Sequence, residues 1–343
     1  MSALMTPSPT RAAMGRTHRR AVIVGTASAA LLVAVSLVTM TVGDYPLSLA
    51  ETIQTLFGGG SQRDQYIIFE VRLPRLLMAV LCGVGLGASG AIMQALLRNP
   101  LASPELLGIT GGASVAAVAG TLMFGLGGLA LVGLAFAGGL VIAAVLLVAA
   151  AREGSSSYCI VLAGVGIAFV CVSVVGYLMK RAQLNEAQMA LRWITGSIDA
   201  TAWRDVLVLG AVLLLALPLA AIAGASLQPL ELGDAQAGAL GVSVQRSRTG
   251  LLVIAVLMAA TVTAFVGPIA FVALSAPAIA RGLVGRASTA ITASALLGGA
   301  LLAVSDIVAQ HALARAVPVG VVTGMVGALY LLWLLARAKG RRT

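Results

Sequence analysis

The sequence predicts an all-α membrane protein, a polytopic bundle of about ten transmembrane helices, on three observations. Of its 343 residues 59% are hydrophobic and only 10% charged, whereas a soluble domain carries roughly 25% charged residues; the mean hydropathy is +1.02. Apolar runs repeatedly reach the ~20 residues that a helix needs to cross ~30 Å of hydrocarbon. Those runs are continuous and rich in Gly and Ala, which suits close helix packing and not the alternating segments of about ten residues found in a membrane β-barrel.

The elements follow in chain order. The stretch MSALMTPSPTRAAMGRTHRR is polar and basic, so residues 1–20 read as a cytoplasmic tail. The apolar run from about Ala21 to Val42 is longer than the core of a cleaved leader and lacks a small-residue cleavage site, and it reads as a retained anchor. Further spans centre near residues 84, 115, 139, 168, 213, 256, 276, 299 and 328, after the first near 31. Residues 21–338 then form one transmembrane domain and 339–343 a second cytoplasmic tail. With an even number of spans both termini lie inside. This arrangement puts fourteen of the 22 Lys and Arg residues on the inner side and eight on the outer, as the positive-inside rule requires.

The net charge of +10 is dispersed between spans, which speaks for orientation and against a nucleic-acid face. Cys82, Cys159 and Cys171 lie in apolar runs without metal-ligand spacing and read as packing residues. No nucleotide-binding, metalloprotease or serine-hydrolase pattern occurs, so no catalytic residues and no metal site are assigned. Asp306 stands alone near a span end. A carrier coupled to protons or sodium usually places ionisable residues in its spans; here the spans hold almost none, so the driving force comes from elsewhere or the path is passive.

Two loops exceed simple connections. Between Asp44 and Glu70, Leu49, Ile53, Leu56 and Phe57 recur at near-helical spacing before three glycines, which predicts a short amphipathic helix along the outer surface. Residues 226–248, SLQPLELGDAQAGALGVSVQRSR, are too polar to span and too apolar for a solvated loop, and predict docking onto a cytoplasmic partner.

Arg72 and Arg75 lie three residues apart at an outer span end, on one helical face. Two roles stay open on spacing alone: interfacial anchoring, or a positive pair that receives carboxylates from an outside partner. In the same span Gly83, Gly87 and Gly90 predict close helix packing, and Gln94 near the inner end either faces a polar path or, the favoured reading, bonds to a neighbouring helix. Asn99 and Pro100 stop that span, Pro104 is expected to start the next, and Gly108 and Gly112 give it a close-packing face.

The segments RLPR, GASGAIMQALLRNPLASPELLGITGGA, LRWITGSID, ELGDAQAGALGV, GPIAFVALSAPAIARGLVG and PVGVVTGMVGALYLLWLL occur in this order. With them the chain, from about residue 20 to 338, resembles the FecCD permeases, the membrane subunits of bacterial ABC importers for ferric siderophores, haem and vitamin B12. The resemblance implies a type II importer fold like that of the vitamin B12 permease, in the bacterial cytoplasmic (inner) membrane. It implies a second permease subunit, two cytoplasmic ATPases that use ATP and Mg, and a periplasmic or lipid-anchored binding protein. The permease itself then binds no cofactor and performs no catalysis. Arg72 and Arg75 would dock the binding protein, Asn99 and Leu101 with Ser155 and Ser156 would form the cytoplasmic gate, and Glu231, Asp234, Ala237, Leu240, Gly241 and Val242 would couple to the ATPases.

Departures from the family pattern are specific. Ala278 and Gln310 stand where many members have His and Arg, and AVPVG (Ala316 to Gly320) replaces ELPVG. The Gln puts a third docking contact in doubt, with Arg315 as a substitute. Gln310, LELGD and GALYL look most like one of the paired permeases of ferric-enterobactin-type systems, which implies a heterodimer sooner than a homodimer. The resemblance leads to the expectation of a ferric-siderophore permease; the alternatives are a haem or cobalamin permease and, from another class, a secondary transporter that needs no ATPase.

Overall fold

The structure, a computed structural model, describes residues 9–152, 157–199, 201–285, 290–312 and 316–339. Among them every regular element is helical: α1 (Pro9–Thr41), α2 (Leu49–Leu56), α3 (Gln62–Tyr66), a π-helical turn (Ile67–Arg72), α4 (Leu73–Leu96), α5 (Ile109–Phe124), α6 (Gly128–Arg152), α7 (Ser157–Arg181), α8 (Leu184–Thr195), α9 (Trp203–Gly224), α10 (Leu227–Leu232), α11 (Asp234–Ala239), α12 (Val244–Val266), α13 (Val272–Val284), α14 (Ile291–His311) and α15 (Val319–Lys339). Among the described residues seven helical segments are long and apolar enough to cross a membrane, and three shorter apolar ones, within α5, α13 and α15, fall at the remaining predicted centres. Helix α1 reaches back to Pro9, into the basic segment ahead of the apolar run. The amphipathic stretch is α2, closed at its start by a capping box between Ser48 and Glu51.

Helix α4 is the hub, buried along most of its length while α1 and α7 keep open faces. Its most extensive partner is α14. A Cβ added at Gly83 would lie 2.2 Å from the carbonyl oxygen of Gly298, and one at Gly87 2.2 Å from that of Ser294. Only glycine lets the two backbones approach so closely. Gly90 does the same against Ala273 of α13, so the predicted small-residue stripe serves two neighbours.

The shortness of α13 has a structural explanation. It begins level with Gly90, ~26 Å along α4 from Leu73, whereas α12 ends at Val266, whose carbonyl accepts from Ser197 near the other end of the bundle. The five non-helical residues 267–271 connect the two helices. Such backbone is tolerated where protein surrounds it, and Gly267 and Ile269 are buried. At their start three glycines from three separate motifs meet: an added Cβ would lie 2.4 Å from the Pro268 oxygen at Gly196, 2.1 Å from the Trp193 oxygen at Gly267, and 2.0 Å from the Thr195 oxygen at Gly320.

The turn after α4 differs from expectation at Pro104. Leu97 continues the last turn, Arg98 takes φ 47°, and the Asn99 side chain accepts from the Leu101 N–H at 2.9 Å. Pro104 lies in a run of turns instead of opening a helix, and α5 starts only after Gly108, whose φ of 74° separates the turns from the helix. Gly108 then packs on Gly164 and Ile167 of α7, and Gly112 on Gly138 and Ile142 of α6.

Gly83→Ala is expected to destabilise the detergent-solubilised protein by about 1–3 kcal/mol through overpacking. Gly176→Ala, where an added Cβ meets nothing within 4 Å, is expected to leave the thermal midpoint unchanged or slightly raised.

Candidate functional site

The two ends of α4 carry the polar chemistry. At its start the π-helical turn follows α3, which a Ser61–Asp64 capping box opens. Pro74 lacks the N–H that would continue the ladder into this turn. The Trp203 indole N–H instead donates to the Phe69 carbonyl at 2.8 Å, so α9 braces the turn that presents Arg72 and Arg75.

The two arginines do different work. Arg72 donates to the carbonyls of Met40 and Tyr45, 2.5 Å each, closing the C-terminal end of α1 onto the following loop. Arg75 forms a bidentate pair with Asp306 of α14, Nε to Oδ2 at 2.9 Å and Nη2 to Oδ1 at 2.8 Å. The Asp306 side chain is 1% exposed, and Gln310 donates to its Oδ2 at 2.7 Å. Asp306 is therefore not alone, as the sequence reading had it: a helix partner and its own next turn satisfy it. Arg75 Nη2 also meets Asp199 at 2.8 Å, whose side chain is 59% exposed. Beside this cluster lies a cavity of ≈ 240 Å³ lined by Asp44, Tyr45, Arg72, Arg75, Gln310 and His311 among others. Arg315 lies outside the described residues.

At the other end Gln94 donates to the Leu274 carbonyl at 3.1 Å and accepts from Arg281, the inter-helix bond expected of it. Arg98 donates to the Leu230 carbonyl at 2.5 Å and to Asp234 at 3.2 Å. Arg248 grips the same carboxylate with two bonds of 2.7 and 3.0 Å. Asp234 thus ties the turn after α4, the pair α10–α11 and α12 together. Gln94, Arg98, Asn99, Pro100, Glu231 and Arg281 line a second cavity of ≈ 320 Å³. Partial desolvation where Glu231 faces this cavity raises its pKa, although the residue as a whole is exposed, against the opposing pull of Arg281 and Arg98.

The predicted gate residues Asn99 and Leu101 fall on this turn, Leu101 46% exposed; Ser155 and Ser156 lie outside the described residues. Of the predicted coupling residues, Glu231, Asp234, Leu240 and Gly241 are exposed and Val242 is partly buried, whereas Ala237 is fully buried and packs inward. Leu232 and Leu240, both more than 60% exposed, stand on the bundle's tip beside polar residues.

Two residues at the site were given no role by the sequence. Asp199 and Glu105 lie inside motif segments, yet nothing in the sequence assigns them a partner; Glu105 accepts from the Phe271 N–H at 3.0 Å, joining the turn to the start of α13. Asp306 did carry a signal, since a lone acid in an apolar span calls for a partner, and Arg75 was the available cation at a span end.

Asp306→Asn is expected to cost about 3–5 kcal/mol, because it strips a buried charge pair of one member, whereas the exposed Asp199→Asn should stay within about 1 kcal/mol; thermal denaturation in detergent compares the two. A raised pKa means that the folded chain binds the Glu231 proton more readily than the unfolded one, so this group's contribution improves as pH falls through its pKa. Relative to Glu231→Gln, the wild type is therefore expected to gain thermal stability as pH falls from neutral toward the ordinary carboxylate range.

The FecCD transport family profile matches residues 31–337. The chain is 36% identical over 301 residues to the ferric enterobactin transport system permease protein FepG of Escherichia coli K12, covering 88% of this chain and 91% of that one. It is 35% identical over 310 residues to the Fe(3+)-citrate import system permease protein YfmE of Bacillus subtilis 168, covering 90% and 92%. A solved inward-facing structure of a metal-chelate type ABC transporter superposes with a TM-score of 0.81 at 25% identity, over 91% of this chain and 98% of that one. A multi-pass helical bundle with this hub, this broken turn and these motifs in order, matched over nearly its whole length, belongs to the FecCD transport family.

Proposed function

We propose that the chain is the transmembrane permease subunit of an ABC importer that carries a ferric siderophore across the bacterial cytoplasmic membrane. The observation that carries this reading is the junction at Asp234, where one carboxylate links two short helices with exposed leucines to the turn that closes α4. Such a junction converts a push on α10–α11 into movement at Asn99 and Leu101. The relatives support the cargo: their names specify ferric enterobactin, ferric citrate and iron hydroxamate.

In this reading two cytoplasmic ATPases seat on α10–α11 and hydrolyse ATP with Mg, and both termini lie on their side. A second, non-identical permease completes the path. A periplasmic or lipid-anchored binding protein docks at the opposite end, on Arg75 with Arg72 beside it, and Arg315 serves as a further contact. Ser155 and Ser156 join the gate. The permease performs no bond chemistry; nucleotide state shifts it between outward-open and inward-open forms through differential binding.

A strain lacking this chain is expected to lose uptake of radiolabelled ferric catecholate while keeping that of haem and cobalamin. Asp234→Arg is expected to abolish uptake and ATPase co-purification with the permease still in the membrane. Uptake that persists in the absence of any ATPase would overturn the proposal.

A further inference from the structure

We infer that Asp199 is a built-in competitor for the docking arginine, a carboxylate that holds Arg75 until an acidic side chain of the binding protein replaces it. The inference rests on the proposed docking at Arg75. The two acids on this guanidinium are not equivalent. Asp306 takes the Nε edge and one Nη2 bond, is 1% exposed, and is held from behind by Gln310. Asp199 shares only Nη2, through one oxygen, and is 59% exposed. Its other oxygen accepts from the Ser197 hydroxyl at 2.7 Å, and the Ser197 Oγ accepts from the Asp199 N–H at 3.2 Å. A carboxylate moved off Arg75 therefore keeps a local partner and water.

The remaining observations give the replacement a place. Arg75 Nη1 makes no hydrogen bond among the described residues, and the ≈ 240 Å³ cavity that Arg75 lines has room for an acidic side chain. Two carboxylates on one guanidinium leave the cluster over-neutralised, so an incoming third acid is repelled unless Asp199 withdraws. Exposed pairs are weak enough to exchange, whereas a buried pair is not. Asp306 thus positions Arg75 and Asp199 tunes its availability. The tether of Asp199 is the glycine junction at residues 196, 267 and 320, which fixes where Ser197 stands.

The test measures binding of the importer's own binding protein to the assembled transporter in nanodiscs, by interferometry across a salt series. Asp199→Asn is expected to tighten binding about two- to fivefold, the size of an exposed ion pair, with a steeper salt dependence, because docking then forms a net ion pair instead of exchanging one for another. Arg75→Gln is expected to weaken binding at least tenfold and to erase the effect of Asp199→Asn in the double variant. Without the partner, Arg75 in Asp199→Asn is expected to react faster with phenylglyoxal, read by peptide mass spectrometry. If Arg75→Gln weakens binding but Asp199→Asn leaves it unchanged or weaker, the competitor role is overturned and docking at Arg75 stands. If Arg75→Gln has no effect, docking at Arg75 itself falls, and the inference with it.

Discussion

The backbone contact between α4 and α14 underlies both the packing and the polar surface of this protein. Gly83 and Gly87 let the two helices touch along their length, and the same two helices carry Arg75 and Asp306 at one end. A bidentate guanidinium–carboxylate pair tolerates little displacement. The alignment of the pair is thus a consequence of the glycine contact, and the pair in turn neutralises two charges that hydrocarbon would penalise heavily.

The second constraint is that backbone polar groups at membrane depth must find partners inside the protein. Two departures from helix, the turns from residue 97 to 108 and the segment 267–271, are joined to each other: Glu105 from the first accepts the N–H of Phe271 at the end of the second. Each break is satisfied partly by the other. The turn is also held on its far side, by Arg98 on the Leu230 carbonyl and Asp234. A single polar chain therefore runs from the exposed tip at α10–α11 through the turn to α13, while Gln94 and Arg281 bind α4 to the same helix. The parts of this chain are bonded and not merely adjacent.

Much of this was legible in the sequence because it depends on local composition. Spans appear as apolar runs, the amphipathic α2 as spaced leucines, and the break after α4 as Asn99 with Pro100. The glycine stripe in α4 announced close packing, though not its partners. Illegible features depended on pairs far apart in the chain. Nothing near Asp199 marks it as a neighbour of Arg75, 124 positions away. Pro104 misled because proline commonly opens helices, yet here tertiary packing of Gly108 against α7 set the helix start.

By itself the sequence determined that the chain resides in a bilayer as a glycine-packed helical bundle with polar segments at both ends, because lipid solvation and helix length act residue by residue. The tertiary structure alone decided which charges are spent inside the protein and which remain available. Arg72 and Arg75 are identical in type and lie in the same motif, yet one secures a loop through two carbonyls and the other faces a buried and an exposed acid. That difference comes from the position of α14 and the residue 196–199 turn relative to α4, and electrostatic energy depends on distance in space, which chain order does not encode.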